Sequence, residues 1–219
     1  MTPDFWLQRW QENRIGFHQS QINTHLETHW PTLGAAPGGT VFVPLCGKSL
    51  DMLWLAGQGY RVRGVELSEI AVQSFFTENG LTPDIEPSGA FMRYRHGEIE
   101  ILCGDLFDLR PADLADVTAV YDRASLIALP PEMRGRYAQH KRALLPDRPP
   151  VLLVTLDYPQ TERQGPPFAV SDAEVRNLYA DAWTVERVAS VDLRTAGQHT
   201  DLSRFEEHVF ILRSQQPRT

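Results

Sequence analysis

Two neighbouring stretches decide the fold: Thr40-Val41-Phe42-Val43-Pro44-Leu45-Cys46-Gly47-Lys48 and Arg61-Val62-Arg63-Gly64-Val65-Glu66-Leu67-Ser68. The first reads as a short apolar strand, Thr40 to Pro44, running into a turn and then a helix over Leu50 to Gln58. The second is a strand, Arg61 to Glu66, that ends on a carboxylate. Strand, turn, helix and strand form a βαβ unit, and the alternation continues at intervals of about 20–25 residues, which argues for a parallel sheet. Glu69 to Asn79 predicts a helix ending at Gly80, and Ala90 to His96 with Glu98 to Cys103 flank Gly97 as a hairpin whose second half enters the sheet. Val117 to Asp122 is the next strand, and Pro131 to Leu145 is a helix opened by proline. The nearly continuous apolar run from Val151 to Asp157 suits a strand covered on both faces. A proline-rich loop, Gln160 to Phe168, a short helix, Asp172 to Tyr179, and two closing strands, Thr184 to Leu193 and Glu207 to Leu212, complete a seven-stranded α/β arrangement.

Upstream, Thr2 is placed to N-cap a first helix with Pro3 at its first position, which brings Phe5, Trp6 and Trp10 near one face. A second helix is expected from Ser20 to Trp30, stopped by Pro31 and followed by the Gly, Ala and Pro loop of Thr32 to Gly39. With no repeats or linkers, the 219 residues divide into an N-terminal helical segment, 1–35, and a sheet domain, 40–213. The 28 acidic side chains outnumber the 21 basic ones, a net charge of −7. That balance disfavours nucleic acid or an anionic membrane as partner, because counterion release needs a basic footprint. No apolar run reaches the roughly 18 residues of a membrane span, and the N-terminus lacks the pattern of a signal peptide. Cys46 and Cys103 are too few for a disulfide framework, so a reducing compartment, the cytoplasm, is expected, with a monomer as the default. All but two of the basic residues are arginine, the exceptions being Lys48 and Lys141.

Several motifs fail on inspection. His25 and His29 stand at i, i+4, but the zincin pattern needs Glu directly after the first His and Glu27 is two positions on, so a solvated helix face is the better reading. Gly47-Lys48-Ser49 lacks the earlier glycine of a phosphate-binding P-loop, since position 42 is Phe, and the dinucleotide fingerprint is also missing. The carboxylate of Glu66 nevertheless follows Gly47 by 19 residues, close to the separation of about 20 at which such folds hold a ribose. A nucleoside without a pyrophosphate is implied, and S-adenosylmethionine is the leading candidate. Asp105, after the third strand, sits where an adenine contact would lie, and equally where a helix N-cap would.

The residues Pro44 to Lys48, Gly64 to Ser68, Tyr121-Asp122-Arg123-Ala124-Ser125-Leu126 and Gly165-Pro166-Pro167-Phe168, preceded by Trp10 and Phe17-His18-Gln19, resemble the bacterial branch of the thiopurine S-methyltransferase family. The resemblance spans the chain. It implies a Rossmann-like class I methyltransferase fold: a seven-stranded, mostly parallel sheet with one antiparallel strand, helices on both faces and an N-terminal helical lid. It also implies S-adenosylmethionine as cofactor, no metal, and an aromatic or heterocyclic thiol as acceptor. Carried over by motif, the cofactor contacts fall on Trp10, Leu45, Glu66 and Arg123, with Asp105 added from the spacing argument. Phe17 and Pro167 lie on the acceptor side, and Arg194 stands near the family's second active-site arginine, where Thr195 to Ser203 depart from the pattern. Arg123 has three candidate partners: the cofactor carboxylate, an anionic acceptor, or an internal acid. Asp122 is unsuited to the last, because adjacent strand residues face opposite ways. Two alternatives remain at this level: a methyltransferase for selenium or tellurium oxyanions or another small nucleophile, and a non-catalytic nucleoside-binding module.

Overall fold

The structure, a computed structural model, describes residues 3–196 and 201–215, so the N-cap expected of Thr2 lies outside the described residues. Nine strands among them form one sheet: β1 (Thr40–Val43), β2 (Arg61–Glu66), β3 (Asp84–Ser88), β4 (Phe91–His96), β5 (Ile99–Cys103), β6 (Val117–Arg123), β7 (Val151–Asp157), β8 (Trp183–Asp192) and β9 (Glu206–Ser214). Their spatial order is β3-β4-β5-β2-β1-β6-β7-β9-β8. The five central strands, β5 to β7, are parallel, and β9 runs antiparallel between β7 and β8.

The expected seven-stranded sheet with one antiparallel strand is therefore too small. Both arms of the Gly97 hairpin join the sheet, and β3 adds a further antiparallel strand outside β4, so that two strands, β4 and β9, run against the rest. The sequence Asp84-Ile85-Glu86-Pro87-Ser88 is almost wholly exposed and shows no apolar alternation. Its proline is tolerated because an edge strand has one side on which no ladder N–H is needed.

The helices are α1 (Pro3–Gln11), α2 (Thr24–His29), α3 (Asp51–Gly57), α4 (Glu69–Glu78), α5 (Ser125–Ala128), α6 (Pro131–Leu144) and α7 (Asp172–Tyr179). Strand alternation assigns them to two faces. Phe42, Val120, Val151, Leu153 and Phe210 pack with Leu126 of α5, Tyr137 and Leu144 of α6, and Val175 of α7. Their sequence neighbours Val41, Val43, Tyr121, Leu152 and Val209 pack with Leu26 of α2, Met52 of α3 and Phe75 of α4. The second helix is shorter than the expected Ser20 to Trp30. Asn23 accepts from the His25 N–H at 3.0 Å and starts α2 there, while Pro31 lies inside a 3-10 turn, Trp30–Thr32, that follows it. The 1–35 segment thus splits physically: Leu26, Trp30 and Leu33 belong to the sheet's core and Ile22 packs against it, whereas among the described residues those before Ile22 contribute nothing to that cluster.

Behind the strand ends lies a buried ion pair. Lys141, one of the two lysines, donates to Asp122 Oδ2 at 2.6 Å, and the Tyr137 hydroxyl donates to the same oxygen at 2.7 Å. Both charged groups are buried. A pair of this kind contributes little net stability, but removing one partner strands the other charge in a medium that cannot solvate it. Lys141→Met is expected to lower the unfolding free energy by about 3–5 kcal/mol in urea titration at neutral pH, and adding Asp122→Asn should recover much of the loss. A fall of less than about 1 kcal/mol for the single variant would contradict the pairing.

Candidate active site

The chain leaves β1 toward β2 and leaves β6 toward β7, on opposite sides, so the carboxyl ends of β1 and β6 form the switch point where open α/β sheets leave a crevice. The backbone is strained on both sides of it. Leu45 after β1 and Ala124 after β6 are non-glycine residues in the left-handed region, with φ of 46° and 67°, at a cost of roughly 1–2 kcal/mol each. A cavity of ≈ 1070 Å³ opens over these ends. Trp10, Phe17, Leu45, Glu66, Asp105, Arg123 and Pro167 all line it.

Glu66, the last residue of β2, is held by the backbone on both oxygens. Oε2 accepts the Gly47 N–H and Oε1 the Ser68 N–H, each at 2.9 Å. Ser68 in turn caps α4 by accepting from Ala71 at 3.3 Å, so the turn that starts the helix also aims the carboxylate. Burial pushes the Glu66 carboxyl above its ordinary pKa, against the pull of the N–H groups of Ser68, Gly47 and Leu67. Each oxygen keeps a further lone pair, which gives the cavity two adjacent acceptors. Asp105 takes the capping role: its side chain accepts from the Phe107 N–H at 2.9 Å, capping a 3-10 turn, and the residue also lines the cavity.

Arg123 closes β6, and the strand extends one residue past the expected Asp122. The two side chains diverge as alternation requires, Asp122 toward Lys141 and Arg123 toward Asp51 of α3. Arg123 Nε donates to Asp51 Oδ2 at 3.0 Å, the Tyr121 hydroxyl donates to the same oxygen at 2.9 Å, and the Asn23 N–H donates to Oδ1 at 2.8 Å. Burial works against the Arg123 charge, but Tyr121, Asp51 and Glu207 around it more than offset this and raise its pKa. With Nε occupied, the terminal nitrogens have no hydrogen-bond partner among the described residues, which leaves a planar fork suited to a carboxylate.

The aromatic residues come from the N-terminal segment. Trp10 of α1 is buried, and a Cβ added to Gly47 would sit 3.3 Å from its ring. Phe17 meets the edges of Trp10 and Trp6, with centroids 5.6 Å away in each case. Pro167 is fixed by its carbonyl, which accepts from the Tyr158 hydroxyl, and by the neighbouring Phe168 N–H, which donates to the Ile127 carbonyl at 2.7 Å.

Arg194 is not among the lining residues. Its guanidinium is turned to Asp192, with Nη2 to Oδ2 at 2.7 Å and Nε to Oδ1 at 3.0 Å, and to the Ser203 carbonyl; adjacent Leu193 reaches the cavity instead. His25 does not lie on a solvated face. Its Nε2 stands 2.9 Å from Glu207 Oε2, with side-chain exposures of 12% and 15%. Sequence reasoning missed Glu207, His18, Met133, Arg136 and Phe205, all of which line the cavity. Glu207 carries no local signal, because an acid beside another acid at the start of a strand reads as its exposed end. Among the described residues the one group with metal-ligand chemistry is Asp157, Glu206 and His208. There the cation position is already served by Arg204, which donates to both acids.

The thiopurine S-methyltransferase pattern matches residues 1–215. The chain belongs to the thiopurine S-methyltransferase family. It is 58% identical over 193 residues to the thiopurine S-methyltransferase of Pseudomonas entomophila strain L48, covering 88% of this chain and 89% of the relative. Identity is 54% to that of Azotobacter vinelandii strain DJ over 215 residues, 97% of this chain and 99% of the relative. Among solved structures, the 1,6-didemethyltoxoflavin-N1-methyltransferase of Burkholderia thailandensis, with 1,6-didemethyltoxoflavin and S-adenosylhomocysteine bound, superposes with a TM-score of 0.65 at 14% identity, covering 97% of this chain and 87% of that one. An S-adenosylmethionine-dependent methyltransferase from Anabaena variabilis gives 0.64 at 13% identity, covering 97% and 95%. The fold is that of S-adenosylmethionine-dependent methyltransferases.

The packing of Trp10 on Gly47 has a direct consequence. Gly47 has φ of 52°, so Gly47→Ala strains the turn and pushes on the indole together. The variant should melt about 2–4 °C lower for each kcal/mol lost and bind S-adenosylhomocysteine about tenfold more weakly by calorimetric titration. Unchanged melting and unchanged affinity would show that the turn tolerates the added carbon.

Proposed function

We propose that this protein transfers the methyl group of S-adenosylmethionine to the sulfur of aromatic or heterocyclic thiols, thiopurines among them, as a monomer in the cytoplasm and without a metal. The observation that carries the reading is the convergence of Trp10, Leu45, Glu66 and Arg123 from four separate elements on one cavity at the switch point, in a chain of this family. The residues fit the cofactor. Two aligned acceptor lone pairs on Glu66 suit the vicinal hydroxyls of a ribose, Arg123 offers a fork for a carboxylate, and Trp10 and Phe17 present aromatic surface to a cation. The unbridged Cys46 and Cys103 support a reducing compartment.

Bound S-adenosylmethionine supplies a methyl group on a sulfonium, an electrophile already activated, with a neutral thioether to leave. The chain's own residues therefore bind, align and dry the site. Glu66 would hold the ribose and Asp105 would be the contact to the base. Trp10 and Phe17 stabilise positive charge by about 0.5–2 kcal/mol and exclude water from it. Arg123, kept cationic by Asp51, binds the cofactor carboxylate or draws the acceptor in as a thiolate, and Pro167 bounds the acceptor end. An acidic thiol arrives largely ionised, so no strong base is required of the histidines. Alignment of two such partners is worth effective concentrations of about 10⁵–10⁸ M, and loss of water around the thiolate raises its reactivity further.

Two variants test the assignment. Glu66→Ala should weaken S-adenosylhomocysteine binding by about tenfold or more in calorimetry, the loss of a charge-assisted hydrogen-bonded contact. Arg123→Lys keeps a cation beside Asp51 but removes the fork, so kcat/KM for a thiol should fall by about tenfold to a hundredfold while melting shifts little. The wild-type protein, incubated with S-adenosylmethionine and a panel of thiols, selenite and phenols, should release S-adenosylhomocysteine with thiols. Failure to release S-adenosylhomocysteine with any of these acceptors would overturn the enzyme reading.

A further inference from the structure

Glu207 has so far entered only as an acid that supports the Arg123 charge, yet it is set into the wall of the site with His25 behind it. Glu207 lies on β9 opposite Leu156 of β7. It lines the cavity together with Leu156, Phe205 and Pro167. From β2 to β9 there are four strand steps, each of about 4.8 Å, which puts Glu207 roughly 19 Å from the ribose-type acceptors of Glu66. It is thus at the opposite end from the nucleoside, with the Arg123 cation between them. His25 steadies the carboxylate by engaging Oε2 at 2.9 Å. His25 is itself placed by the Asn23 cap, whose side chain accepts from its N–H at 3.0 Å, and by stacking on His29 with centroids 6.0 Å away. Among the described residues no other side chain pairs with the Glu207 carboxylate.

A largely buried carboxylate on the wall of a methyl-acceptor site has two chemical effects. It accepts hydrogen bonds from N–H groups, at the strength of a charge-assisted bond, and it repels anions, at a strength raised by the low local dielectric. Resting on the thiol methyltransferase reading, we propose that Glu207, positioned by His25, selects the acceptor. It accepts a hydrogen bond from a ring N–H or exocyclic amino group of a heteroaromatic thiol and turns away thiols that carry an anionic substituent at that end. Arg123 and Glu207 together then make a dipolar pocket, matched to an acceptor whose sulfur bears negative charge and whose far edge bears a hydrogen-bond donor. A site that recognises a donor in this way discriminates strongly against analogues lacking it, because the desolvated carboxylate is otherwise left unpaired.

The test compares kcat/KM for three thiols: 6-mercaptopurine, which carries ring N–H, thiophenol, which has none, and 4-mercaptobenzoate, which carries a carboxylate. In Glu207→Gln the ratio of 6-mercaptopurine to thiophenol should fall by about tenfold, and the ratio of 4-mercaptobenzoate to thiophenol should rise by about tenfold. His25→Phe, which keeps the stacking on His29 but releases the carboxylate, should move the first ratio in the same direction through KM rather than kcat. A purely structural role would lower all three acceptors by a common factor, and that result, or ratios that move by less than about twofold, would overturn the proposal. If the wild-type protein turns over none of the three while still binding S-adenosylhomocysteine, the thiol reading fails and this one with it. Turnover with unchanged ratios removes the Glu207 assignment alone.

Discussion

The site hangs on one buried carboxylate. Asp51, 1% exposed, receives the Asn23 N–H on one oxygen and the Tyr121 hydroxyl and Arg123 Nε on the other. It thereby joins three parts of the chain that share no local sequence: the start of α2, the first turn of α3 and the end of β6. A buried charge without partners would be expelled or neutralised, so the three donors and the acid define one another's positions. Arg123 becomes a fixed cation with its terminal nitrogens free for a ligand, where an unpaired arginine would be a mobile one. The N-terminal segment is fastened at the same point, because Asn23 both donates to Asp51 and caps the helix that carries His25.

A second constraint operates on the other side of the switch point. Leu45 and Gly47 take left-handed conformations so that the Gly47 N–H can reach Glu66. The strain is local and is held in place by the packing of Trp10 on the turn. The geometry of the site and the docking of α1 are therefore coupled: whatever moves the indole changes the support of the turn, and through it the carboxylate that the turn orients. Arg123 and Glu66 face a common space while each is held by a different network, so the two can be perturbed separately.

Much of this is legible in the sequence. The βαβ pattern and the position of Glu66 followed from apolar periodicity and from a spacing that has a chemical reason. Alternation along β6 by itself separates Asp122 from Arg123. The rest is not written locally, for physical reasons. The β3 strand lacks alternation because an exposed edge buries nothing. Arg194 is expected in the site only through the resemblance, and the turn after β8 folds its guanidinium back onto Asp192 instead. His25 looked solvated because a helix face carries no information about a strand packed against it from the far end of the chain.

Sequence alone therefore determined the fold class, the parallel core of the sheet, the nucleoside-type carboxylate and the family, since each depends on short-range periodicity or on residues at fixed local spacing. Tertiary structure decided which charges meet: Asp51 with Arg123, Lys141 with Asp122, and Glu207 with His25. Those pairs span from 19 to more than a hundred residues of chain. The physical reason is that each pair joins a helix to a strand, and which strand a helix packs over is set by strand order and by the face the helix covers, neither of which is written in the neighbourhood of either residue.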